Sequence, residues 1–233
     1  MSGAQSAGTT GSDRLALLRR RLAARGLAAA DQAITPRDPG APVPLTAAQR
    51  RMWFLQRFQP HSAANNICVG IRLTGDLDAT RLHRALRDTV ARHEILRTTY
   101  ATGPDGNPVQ VVRADRDVPV SLMDFSRFPE REREAMVDDL ALGVGARAFD
   151  LAADPPLWLS LVRMGPREHV LLLVAHHIAW DDSSWLPLLR EVADRYSAER
   201  EPAALELSYG DYAVWENSAA TRTPTPWTTG AAS

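Results

Sequence analysis

At 233 residues, 45% of them hydrophobic, the chain can hold one large domain, or a domain with tails, around a sizeable core. Its 27 basic and 28 acidic residues give a formal net charge of -1, which excludes a global electrostatic pull toward nucleic acid or a membrane surface. A single cysteine, Cys68, excludes an intrachain disulfide framework and, within an apolar segment, is expected as a buried free thiol. No apolar run approaches the roughly 18 to 20 residues of a membrane span, and the start lacks a signal-peptide core, so a cytoplasmic location is expected.

Residues 1–11 are small and polar without periodicity and are expected to be disordered. Over residues 12–27, Ser12 and Asp13 can cap an amphipathic helix with a Leu15, Leu18 and Leu22 stripe, arginines on its other faces and Gly26 as a stop. Residues 28–44 carry Pro36, Pro39, Pro42 and Pro44 and read as an extended tether. The main domain is expected over 45–216, followed by a disordered tail over 217–233.

Within that domain, Thr46 is placed to cap a short helix directing Met52, Trp53 and Leu55 inward. Asn66 to Leu73 alternates as a strand, and Gly75 turns it toward a helix capped by Asp78. Leu82, Ala85, Leu86, Thr89 and Val90 recur on one face of that helix. Arg97 to Tyr100 and Val109 to Val112 read as strands about an Asp105-Gly106-Asn107 turn, and Val118, Val120 and Leu122 as a further strand. Residues 129–142 predict a charged helix with Ala135, Met136 and Leu140 on one side. Leu157 to Arg163 and His169 to Ala175 predict adjacent antiparallel strands, because the Gly165-Pro166 link is too short for a crossover. Ser184 to Tyr196 predicts a helix with Trp185, Leu188, Leu189, Val192 and Tyr196 inward. The fold class is α/β, a mixed, largely antiparallel sheet with helices packed on it.

The chemistry concentrates in His176-His177-Ile178-Ala179-Trp180-Asp181-Asp182, between an apolar strand and a helix start. Adjacent strand residues face opposite ways, so one histidine is expected to be held inward and the other presented. Histidine is the natural proton shuttle near neutral pH. Asp181 can fold back to orient an imidazole or pair with an arginine, while Ser183 and Ser184 read as helix caps. A metal site from the two histidines with Asp181 and Asp182 is disfavoured, because adjacent histidines do not supply the usual separated ligands. The plain alternative is a pair of histidines that merely ends a core strand.

The same stretch resembles the HHxxxDG motif of the condensation domains of nonribosomal peptide synthetases, in the chloramphenicol acetyltransferase-like superfamily. Leu45 to Trp53 resembles their opening motif, Arg92-His93-Glu94-Ile95-Leu96-Arg97-Thr98 their RHExLRTxF motif, with Tyr100 near its aromatic position, and Tyr209 to Trp215 their YxDYAxW segment. Arg14 to Gly26 is similar to the leader helix ahead of such domains. The resemblance implies a chloramphenicol acetyltransferase-like lobe whose activity joins a carrier-bound acyl donor to a carrier-bound aminoacyl acceptor through an amide. It implies a catalytic role for His177, a supporting role for His176, and an Asp181 that braces the loop by pairing with Arg97 or, alternatively, Arg92. It implies no directly bound cofactor; the phosphopantetheine arms belong to partner peptidyl or acyl carrier proteins.

Two departures stand out. Asp182 replaces the motif glycine, adding a carboxylate that would favour imidazolium at His177 if it lay close. The resemblance also covers only the N-terminal lobe of a two-lobed domain, so the chain is expected to be inactive without a second lobe, supplied by another chain or a synthetase module. An apolar face left bare would favour self-association. Two other readings are a noncatalytic module docking a carrier protein or synthetase, and a stand-alone CoA- or carrier-dependent acyltransferase that builds its cleft between subunits.

Overall fold

A computed structural model describes residues 33–114, 120–197 and 202–222. The expected tail over 1–11, the leader helix over 12–27 and Val118 lie outside the described residues. The elements, in order, are β1 (Val43–Pro44), α1 (Ala47–Phe58), β2 (Asn66–Thr74), α2 (Ala79–Arg92), β3 (Thr98–Thr102) and β4 (Pro108–Val112). They continue as β5 (Val120–Asp124), α3 (Glu130–Gly145), β6 (Leu157–Gly165), β7 (Glu168–His176), α4 (Trp185–Ser197) and α5 (Tyr209–Arg222).

Two sheets organise these elements. The larger runs β2-β7-β6-β5, antiparallel except for the parallel β5/β6 pair; the smaller is an antiparallel β1-β4-β3 sheet. The larger sheet is covered on both faces, which explains why β7 is apolar at nearly every position. Leu171, Leu173 and Ala175 face a cluster built with Leu82, Ala85, Leu86 and Val90 of α2 and Leu188 and Val192 of α4. Val170 and Leu172 face Val137 of α3, while Val174 meets Leu45, Tyr100, Phe149 and Ile178. Alternation along β7 thus feeds two separate layers. Among the described residues, no helix is long and apolar enough to cross a membrane.

Local signals account for most elements. Thr46 and Gln49 form a reciprocal capping box at the start of α1. Asp78 accepts the Arg81 amide hydrogen at 2.9 Å and starts α2, whose five expected inward residues are all buried. Gly75, at φ 115°, supplies the left-handed turn between β2 and α2.

Several expectations need correction. Leu55 is 45% exposed, because α1 docks through Gln49, Met52, Trp53 and Gln56, a face at helical spacing that leaves Phe54, Leu55 and Phe58 outside. Ala135 is exposed and α3 turns Val137, Leu140 and Ala141 inward. Arg97 ends a short 3-10 segment (Glu94–Arg97), so the strand starts at Thr98. Cys68 is exposed: β2 is an edge strand, and the cysteine lies against Gly145 and the Ala141 carbonyl, with enough cover to push its thiol up.

The domain also extends beyond 45–216. Val43 and Pro44 pair with Val109 and Gln110, and Arg37 bridges Glu94 at 2.8 Å and Asp211 at 3.0 Å, so this part of the tether is docked. Burial alone would raise the Asp211 carboxyl; hydrogen bonds from the Arg37 and Ser208 amides, then from their side chains, outweigh it and hold Asp211 below the usual range. At the other end, α5 continues to Arg222, so residues 217–222 are helical where a tail was expected.

Candidate active site

Where β7 ends, the chain turns sharply over residues 176–180. The His176 amide donates to the Pro156 carbonyl at 3.0 Å and the His177 amide to the Asn65 carbonyl at 2.8 Å, tying the strand end to both flanks. The Ala179 amide then closes the turn on the His176 carbonyl at 3.0 Å. Strand alternation places the two imidazoles as expected: His176 is 0% exposed, and His177 is exposed.

His176 packs edge-on against Phe149, with ring centroids 5.7 Å apart. Its Nδ1 accepts the Ile178 amide hydrogen at 3.1 Å, and its Nε2 faces Gln56 Oε1 at 3.4 Å. Burial first, and the neighbouring His177 second, push its pKa down to about 4, so it is neutral at pH 7.

His177 is held differently. Its Nδ1 lies 3.1 Å from the Trp180 carbonyl, which can only accept, so Nδ1 carries the hydrogen and Nε2 of the neutral ring keeps its lone pair. Trp180 is 6% exposed and packs edge-on against Trp185, 4.7 Å between centroids, anchoring that carbonyl in the α2/α4 core. The arrangement offers one solvent-facing nitrogen able to accept a proton or hold an amine.

Among the described residues, Asp181 is not paired with an arginine. Its Oδ1 accepts from Ser183 Oγ at 2.8 Å and Ser184 Oγ at 2.7 Å, so it caps the 3-10 turn Asp182–Ser184 that leads into α4. The Ser184 bond, then the Ser183 bond, hold its carboxyl below the usual range. Arg97, the expected partner, donates to the Ala91 and Arg113 carbonyls, at 3.1 and 2.9 Å, and Arg92 pairs with Glu191 at 2.9 Å. Two nearby hydroxyls satisfied the aspartate, and nearby carbonyls and a glutamate satisfied the arginines. Asp182 is exposed at the start of the 3-10 turn. Among the described residues, no group of three His, Cys, Asp or Glu side chains is placed to hold a metal.

Two residues that sequence reasoning left without a role belong to this site. Gln49 and Gln56, 2% and 6% exposed, face the loop from α1. Gln49 Nε2 donates to the Ile178 carbonyl at 3.2 Å; Gln56 Nε2 donates to the Phe149 carbonyl at 3.2 Å and the Pro60 carbonyl at 3.1 Å. Their spacing of seven residues, two turns on the buried face, was the available signal. A cleft of about 600 Å³ opens beside this cluster, lined by Trp53, Gln56, Arg57, Tyr100 and Phe149 among others.

Comparison with known proteins agrees with this geometry. The family model for the condensation domain matches residues 41–224. The dimodular nonribosomal peptide synthase of Bacillus subtilis (strain 168) is 40% identical over 179 residues, covering 75% of this chain and 7% of that protein. A solved structure of the X-domain and OxyB from teicoplanin biosynthesis aligns at 35% identity with a TM-score of 0.69, covering 80% of this chain and 40% of that one. The first condensation domain of the calcium-dependent antibiotic synthetase shares the fold, at 24% identity and a TM-score of 0.68, covering 78% and 44% of the two chains. The chain therefore spans less than half the length of each of these proteins.

Proposed function

The chain belongs to the condensation-domain family, and from that premise we propose that it carries the histidine-bearing wall of an amide-forming site in nonribosomal peptide synthesis. The substrates are two thioesters on the phosphopantetheine arms of peptidyl or acyl carrier proteins. The acceptor amine attacks the donor thioester carbonyl, the C–N bond forms, the C–S bond breaks, and the released thiolate takes a proton. His177 acts at the amine: its Nε2 accepts the proton lost on attack or, without full transfer, holds the amine while the tetrahedral oxyanion develops. One observation carries this reading, the commitment of His177 Nδ1 to the Trp180 carbonyl, which leaves Nε2 as the remaining acceptor of this exposed side chain. His176 and Asp181 act through His177, one as a wedge under the turn and the other as the cap beyond it.

His177 lies on an open surface, and preorganised acyl transfer requires walls on both sides of the reacting atoms. The opposing wall comes from a second lobe, on this polypeptide or another. The testing experiment mixes the protein with donor- and acceptor-loaded carrier proteins, with and without the C-terminal lobe of a related condensation domain, and follows the amide product by mass spectrometry. Product dependent on the added lobe is expected; carrier binding without product in either mixture would instead favour a docking module. Two observations support that second reading: Asp182 occupies the motif glycine position, and the similar X-domain was solved in complex with another protein, OxyB.

A further inference from the structure

We infer that Gln49 and Gln56 are positioning residues for His177, acting on the backbone of Ile178 at two points, Gln49 directly and Gln56 through His176. This rests on the reading of His177 as the reacting side chain, and it concerns what aims that side chain. Ile178 follows His177 directly, so fixing its amide and carbonyl fixes the backbone on the C-terminal side of the imidazole. The carbonyl is held by Gln49 Nε2 at 3.2 Å. The amide is held by His176 Nδ1 at 3.1 Å, and His176 is in turn held through Nε2 by Gln56 Oε1 at 3.4 Å. One helix, α1, therefore holds the Ile178 carbonyl directly and its amide through His176.

The amide orientations are determined by their other partners. Gln56 Nε2 donates to two carbonyls, of Phe149 and Pro60, so its oxygen is the atom facing His176 and must accept. Gln49 Oε1 accepts the Thr46 amide hydrogen at 3.1 Å, so its nitrogen is the atom facing Ile178, with Tyr100 Oη at 3.3 Å as a further neighbour. A core needing only bulk at these positions would take leucine or methionine, since a buried amide left unpaired is destabilising. Both amides are fully engaged, Gln49 reaching the Ile178 carbonyl directly and Gln56 reaching the Ile178 amide through His176.

This arrangement has a spectroscopic signature. His176 must carry its hydrogen on Nε2, because Nδ1 accepts from Ile178. His177 must carry its hydrogen on Nδ1, because that atom donates to Trp180. Adjacent histidines are therefore locked in opposite tautomers, and only the His177 form presents an outward lone pair on Nε2.

Long-range ¹H–¹⁵N correlation spectra of histidine-labelled protein at pH 7.5 test this without any substrate, so the outcome is separate from whether the protein forms amides. In the wild type, an Nε2–H tautomer for His176 and an Nδ1–H tautomer for His177 are expected. In Gln49→Met and Gln56→Met, His177 should shift to a mixture of tautomers and the Ile178 amide should exchange at least tenfold faster, with cooperative melting retained. Where a methionine variant does not fold, the asparagine variant at that position, which keeps the amide but shortens its reach, is read in the same way. Any other wild-type pair of tautomers overturns the inference, as do variants in which His177 and the Ile178 exchange rate are unchanged.

Discussion

His176 is neutral because burial, and then the neighbouring His177, disfavour an imidazolium: Phe149 lies at its edge, and an amide hydrogen and a glutamine oxygen occupy its two nitrogens. Its pKa falls from 6.5 to about 4 on folding, so the stabilisation is complete above pH 6.5 and is lost as pH drops toward 4. The window is worth about 3 kcal/mol. Urea midpoints for the wild type should therefore fall between pH 7 and pH 4.5, and His176→Gln, which cannot titrate, should flatten that slope. Asp181 works in a lower window, since a depressed carboxyl stabilises above its ordinary range and loses that contribution only as pH falls through its own lower value. Asp181→Ala should cost about 1 kcal/mol through the lost cap, while Arg97→Met should leave the Asp181 loop unmoved in chemical-shift maps. At this scale the sequence was legible where period alone decided: alternation separates a buried from a presented histidine. It was not legible where several partners compete, because Ser183 and Ser184 stand only two and three residues from Asp181 and reach it before any arginine does.

Among the elements, α2 shows how completely a strong pattern specifies packing. Its cap and five inward residues follow from helical spacing and Asp78. Leu86, 2% exposed between the sheet and α4, should cost about 2–5 kcal/mol on Leu86→Ala, measured by chemical denaturation. For α1 the pattern was weaker, since its buried face includes two glutamines that a hydrophobic-period reading assigns to solvent. The tether over 33–44 was hidden for a similar reason: proline composition marks extended chain, and extended chain can either float or dock. The choice rests on Arg37, whose guanidinium joins the tether to Asp211 of α5 and to Glu94. Arg37→Met should lower stability by about 1–3 kcal/mol, because it leaves the largely buried Asp211 carboxylate without its cation, and Asp211→Asn in the same protein should recover part of the loss.

For the whole molecule, two sheets and their helices give a complete core around β7, yet they leave large apolar side chains outside. Phe54 and Phe58, 63% and 76% exposed, stack along α1 with centroids 6.5 Å apart. Light scattering should show concentration-dependent association that Phe58→Glu weakens. The family and fold class were legible because four motifs stand in order along the chain. The opposing wall could not be read, because residues that would face His177 from a second lobe are not in the matched sequence.

The most direct measurement of the central claim is the rate of amide formation from carrier-bound donor and acceptor, in the presence of an added C-terminal lobe, for the wild type and His177→Ala. A loss of about 10²–10⁴-fold is expected for His177→Ala, with carrier binding unchanged. Equal rates for the two proteins would contradict it.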